Sequence, residues 1–193
     1  TDVSGFWPKL VEEGEYTPAD LARTARMHKA IAVMLFKLEC ALIGRNPDFG
    51  MQGRALLEQV DFVSQTIVID GVEYHMQDCD FPTVDPARPA ALTPGERDVL
   101  DKLCQSFMQS EKLARHVRFL YAKGSVYRIE NNNLLFHGAV PLDENGEFAR
   151  VEYGGETFSG RAWMDKCERM ARQGYLAPVG SDARRRGRDF LYY

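Results

Sequence analysis

The chain has 193 residues, of which 45% are hydrophobic and 27% charged, with a formal net charge of −4. Such a composition suits a globular protein with one sizeable core or two small ones. The acidic balance argues against a nucleic-acid binder, and the longest apolar run, Ala30–Phe36, is too short to cross a bilayer.

The opening residues, Thr1 to Pro8, have neither the basic start nor the apolar segment of a secretory signal. The four cysteines, Cys40, Cys79, Cys104 and Cys167, stand far apart without paired spacing. A disulfide framework and a zinc knuckle are therefore unexpected, and the reading is of reduced thiols in a cytoplasmic protein. The chain starts without methionine and stops within the aromatic run Phe190-Leu-Tyr-Tyr193; both ends read as cut.

Residues 1–16 are expected to form a connecting segment. Thr17-Pro18-Ala19-Asp20 then supplies a capping hydroxyl, a proline at the first helical position and an early acid. Leu21, His28, Ile31, Leu35, Leu38 and Leu42 recur at helical spacing, and Gly44 offers a left-handed stop. Apolar residues on more than one face between Ala30 and Phe36 predict a central, buried helix. After a turn at Asn46-Pro47-Asp48, a hairpin is predicted over 65–76, with Asp70-Gly71 as its type I′ turn. The proline-rich stretch 81–89 reads as an extended linker or wrapping arm.

Thr93-Pro94-Gly95-Glu96 carries a capping box and opens a second helical region that runs to Gly124, with a break near Gln109 and a new cap at Ser110. The period then changes to two. Residues 125–130 and 133–136 flank an Asn131-Asn132 turn, and 148–153 and 156–158 flank Gly154-Gly155. A helix is expected from about Arg161 to Gln173, stopping at Gly174, and another from Asp182 capped by Ser181.

One run carries chemistry: Asn133-Leu-Leu-Phe-His137-Gly138, an apolar strand that delivers one histidine and then a glycine. Imidazole is a common ligand of manganese, iron or zinc, and glycine lets backbone approach a bound group. The bland reading of His137 is a histidine that caps a strand end. His28 lies on an apolar stripe and reads as a core histidine. His75, near Asp78, Cys79 and Asp80, imitates a metal cluster but leads into a loop, which favours solvated turn chemistry. His116 belongs to a basic helical run, Lys112 to Arg118, that reads as a solvated face or a phosphate contact. The dense patch Arg184-Arg-Arg186-Gly-Arg188 reads as helix surface or subunit contact. No nucleophile-elbow, P-loop or dinucleotide fingerprint is present.

Two blocks together resemble a known family. Met27-His-Lys-Ala-Ile-Ala32 with Phe36-Lys-Leu-Glu39 is the first; Ser110-Glu-Lys-Leu113, His116-Val-Arg-Phe-Leu-Tyr121, Lys123-Gly-Ser125 and Asn133 to Gly138 form the second. Phe81-Pro-Thr-Val-Asp-Pro86 also fits. They resemble the bacterial class III fructose-1,6-bisphosphatases of Firmicutes and Bacteroidetes, calcineurin-like metallophosphoesterases, from about Thr17 to Trp163.

The resemblance implies an α+β fold: long helices and β-hairpins, part of a β-sandwich flanked by helices. Residues 17–124 would be a helical insertion carrying the 65–76 hairpin, and 125–193 part of the phosphoesterase core. It implies a two-manganese site of which only the lone His-Gly, His137-Gly138, is present, the other ligand motifs lying before Thr1 and beyond Tyr193. The intact enzyme would use metal-activated water to hydrolyse fructose 1,6-bisphosphate, whereas this chain, an internal fragment, is expected to be inactive and not to hold Mn2+. No catalytic residue and no sugar-binding residue is assigned. A homo-oligomer is compatible with the insertion; nucleic-acid and membrane partners are not expected. The alternative is a regulatory or oligomerisation module without catalytic motifs.

Overall fold

The computed structural model describes residues 2–8 and 16–193. They form two compact units, Thr1–Lys102 and Leu103–Tyr193. The first is built on one long helix, α1, Pro18–Arg45. Its start follows the capping rule: the Thr17 hydroxyl accepts from the Asp20 amide at 3.2 Å, and the Asp20 carboxylate accepts from the Thr17 amide at 3.2 Å. Its end does not follow the Gly44 expectation. The helix continues to Arg45 and closes at Asn46, whose buried amide nitrogen donates to the Leu42 carbonyl at 2.9 Å. A side chain thus satisfies a terminal carbonyl, and Pro47 prevents continuation.

The buried face of α1 also differs from expectation. It comprises Ala25, Lys29, Val33, Met34, Lys37, Cys40 and Ile43, whereas Ile31, Leu35 and Leu38 of the expected stripe are 45%, 53% and 41% exposed. His28 is exposed as well, so the core-histidine reading fails. Apolar count alone ranks the stripe wrongly here, because two lysines lie on the inner face with their ammonium groups paired.

That inner face is covered by a 3-10 turn at Ser4–Phe6 and by three more along 47–59. Of the expected connecting segment 1–16, Thr1 and residues 9–15 lie outside the described residues. The first hairpin forms as predicted, β2 Thr66–Ile69 with β3 Val72–His75, and Asp70 and Gly71 take φ of +51° and +79°. A short strand, β1 Val60–Asp61, adds to β2 as an unforeseen third member.

The proline-rich stretch has neither helix nor strand; two ion pairs to α1 flank it, and its Thr83 carbonyl accepts from Lys37. Lys29 Nζ, 3% exposed as a residue, contacts Asp78 at 2.6 Å and the Asp2 carbonyl at 2.5 Å. Lys37 Nζ, fully buried, contacts Glu96 at 2.8 Å and the Thr83 carbonyl at 2.5 Å. Glu96 also accepts from the Thr93 amide at 2.7 Å, closing the capping box of α2, Pro94–Met108. One carboxylate therefore caps a helix and neutralises a buried lysine. The division between the units falls inside α2.

The second unit holds α3 Glu111–Lys123, capped by Ser110, and two hairpins, β4 Tyr127–Glu130 with β5 Asn133–Phe136 and β6 Val151–Tyr153 with β7 Glu156–Phe158. Each hairpin is a separate two-stranded sheet. The architecture is thus mixed α and β with small sheets. Helix α4, Gly160–Leu176, passes through Gly174 instead of stopping there. Gly174 is required by packing: α4 crosses α5, Asp182–Phe190, where a Cβ on Gly187 would lie 2.3 Å from the Gly174 nitrogen. Beside this crossing Tyr153, Trp163, Phe190 and Tyr193 form an aromatic cluster, with the Tyr153 and Phe190 centroids 5.0 Å apart at 84°.

Candidate functional site

The candidate site is the end of β5. The Asn131-Asn132 turn has φ of +50° and +63° at its two residues, the type I′ geometry that pairs Glu130 with Asn133. Pairing continues through Ile129–Leu134 and Arg128–Leu135 to Tyr127–Phe136. His137 follows, exposed, and its ring makes no hydrogen bond among the described residues. Gly138 then takes φ of +89°, a left-handed conformation that favours glycine and turns the chain at once. The strand's Leu134, Leu135 and Phe136 are 44%, 53% and 45% exposed, so both faces of the hairpin carry uncovered apolar surface.

The root of this hairpin is held by α4. Arg161, Asp165, Glu168 and Arg172 fall at intervals of four, three and four, which places them on one helical face. Arg172 donates to the Tyr121 carbonyl at 2.6 Å and the Gly124 carbonyl at 3.0 Å, and pairs with Glu168 at 2.6 Å. The other Glu168 oxygen accepts from the Val126 amide at 2.6 Å. The Tyr127 hydroxyl donates to Asp165 at 2.8 Å and accepts from Arg161 at 3.0 Å. Gly124 sits where a Cβ would be 2.6 Å from the Leu120 carbonyl oxygen, so the exit from α3 leaves no room for a side chain. The four α4 residues escaped the sequence reading; their signal is a charged row on a helix whose other face carries Met164 and Met170.

Among the described residues no group of three or more His, Cys, Asp or Glu side chains is placed to hold a metal ion. The donor set at the strand end is one imidazole, which does not make a catalytic metal centre. The imitation cluster near His75 dissolves: Asp78 is engaged by Lys29, an Asp80 oxygen accepts from the Asp2 amide at 2.9 Å, and His75 is exposed at the end of β3. His116 is exposed on α3. In the arginine patch, Arg184 donates to the Ala177 carbonyl, Arg185 pairs with Asp182 and Asp189, and Arg186 lies over the Tyr153 ring. The cysteines are free, and burial pushes the Cys40, Cys79 and Cys167 thiols up, away from nucleophilic character. Among the described residues no helix is long and apolar enough to cross a membrane.

Comparison with known proteins places these features in one context. The family model described as Firmicute fructose-1,6-bisphosphatase matches residues 1–193. Curated proteins named fructose-1,6-bisphosphatase class 3 are similar. That of Alkaliphilus metalliredigens is 41% identical over 194 residues, covering 100% of this chain and 29% of the relative. That of Clostridium novyi is 42% identical over 190 residues, 98% of this chain and 28% of the relative. That of Bacteroides thetaiotaomicron is 42% identical over 189 residues, 97% of this chain and 28% of the relative. The chain therefore spans less than a third of the length of the relatives it matches. No solved structure matches.

Proposed function

The chain belongs to the Firmicute fructose-1,6-bisphosphatase family, and we propose that it serves an enzyme that hydrolyses fructose 1,6-bisphosphate to fructose 6-phosphate and phosphate. The observation that carries this reading is the family match along the whole chain, which includes the block ending at His137. His137 would be this chain's contribution to a manganese site whose remaining ligands lie outside the described residues, in a phosphoesterase sandwich to which the second unit contributes strands. Residues 17–124 would be the insertion and 125–193 part of that core, in a cytoplasmic protein. The uncovered apolar side chains support a larger folded body: Met27, Ile31 and Leu35 on α1 and Leu134, Leu135 and Phe136 on β5 are all at least 44% exposed.

Two assays test this. The 193-residue chain, given manganese and fructose 1,6-bisphosphate, is expected to release no phosphate; release would overturn the incomplete site. The longer protein that contains this sequence is expected to release phosphate from the same substrate, and failure to do so would overturn the function.

A further inference from the structure

We propose that Asp165, Glu168 and Arg172 of α4 are positioning residues for His137, an inference that rests on the reading of His137 as the site residue. Three of the contacts from α4 reach backbone groups at the junction between α3 and β4, at Tyr121, Gly124 and Val126. A fourth, Asp165, takes the hydroxyl of Tyr127, the first residue of β4. Tyr127 lies directly across from Phe136, the residue before His137. The helix is thus tied to the end of the hairpin from which the imidazole emerges, and not to the free turn at Asn131-Asn132.

Surface ion pairs are commonly weak, but these side chains act differently. Arg172 is 36% and Glu168 24% exposed in their side chains, and they bind groups 42 to 51 residues away in sequence. Arg172 satisfies two carbonyls at the close of α3, and Glu168 satisfies an amide just before β4 that has no partner in the hairpin ladder. Arg161, 75% exposed, adds least. A two-stranded hairpin is only marginally stable alone, so the direction in which β5 ends depends on this anchorage.

The test uses Tyr127→Phe and Asp165→Asn. With Glu130–Asn133 the bonded pair beside the turn, Arg128–Leu135 is the next bonded pair and the last before His137. In the 193-residue chain, amide exchange at Arg128 and Leu135 should quicken about tenfold, the scale of hydrogen bonds to charged groups lost in Tyr127→Phe and weakened in Asp165→Asn, while β6–β7 amides keep their rates. In the longer protein the same variants should lower kcat about tenfold with KM and melting temperature unchanged. Unchanged exchange, equal quickening in both hairpins, or local quickening with kcat intact each overturns the proposal. His137→Ala separates the premise: full activity in that variant would remove the reading of His137, whatever the exchange rates show.

Discussion

The two units pack their longest helices, α1 and α4, by different means. In the first, α1 turns two lysines inward, and each ammonium gathers a distant carboxylate and a carbonyl: Lys29 with Asp78 and Asp2, Lys37 with Glu96 and Thr83. In the second, α4 meets α5 through glycines whose backbones touch, beside an aromatic cluster. Buried charge pairs fix α1 in the first unit, and steric fit sets the α4–α5 crossing in the second. A buried pair fails when one partner is removed or protonated, whereas a glycine crossing fails when a single carbon is added.

The largest effect should come from the buried lysine. Lys37→Met leaves Glu96 charged and the Thr83 carbonyl unpaired, at a cost of about 4 kcal/mol in urea unfolding of the first unit. Lys37→Met with Glu96→Leu should recover most of that loss; a double variant as unstable as the single one would show that the pair is not the cause. Next is Gly187→Ala. Its Cβ would meet the Gly174 nitrogen at 2.3 Å and the Met170 carbonyl oxygen at 2.7 Å, backbone atoms that cannot step aside. The expected cost is about 3 kcal/mol, read as loss of tryptophan signal from Trp163 with the first unit intact; a neutral substitution would mean the helices do not cross there.

Acid should separate the units more gently. Burial by itself would raise the Glu96 carboxyl, but the Lys37 ammonium, the Thr93 amide and the Thr83 hydroxyl together hold it below its ordinary value of 4.5. A depressed carboxyl contributes stability above its unfolded value and loses it as pH falls through the folded one. The Lys37–Glu96 tie should therefore stand at pH 6 and release below about pH 4.5, seen as amide exchange in 81–96 quickening before that of α4 and α5. The reverse order would contradict the contrast. The smallest effect is at the cap of α1: Thr17→Ala removes the acceptor for the Asp20 amide and should cost about 1 kcal/mol, against no change in the second unit.

Local punctuation was legible in the sequence because it depends on neighbours alone. The caps at Thr17, Thr93, Ser110 and Ser181 and the turns at Asp70-Gly71, Asn131-Asn132 and Gly154-Gly155 stand where their residue types demand. What stayed hidden depends on partners far along the chain. Gly44 and Gly174 look like helix stops; one is simply tolerated and the other is a contact surface. Lys29 and Lys37 carry no sequence sign of burial, which depends on the distant Asp78 and Glu96. His137 stands out as a candidate through its strand and glycine, but the α4 row that anchors its hairpin shows no sequence link to it, because its partners are mainly backbone atoms.

The account turns on His137. In the longer protein that contains this sequence, His137→Ala should lower manganese-dependent phosphate release from fructose 1,6-bisphosphate by about 100-fold or more, with the melting temperature unchanged because the side chain is exposed and has no hydrogen-bond partner among the described residues. Activity within about twofold of the parent, well inside the losses seen when a metal-site group is removed, would contradict it.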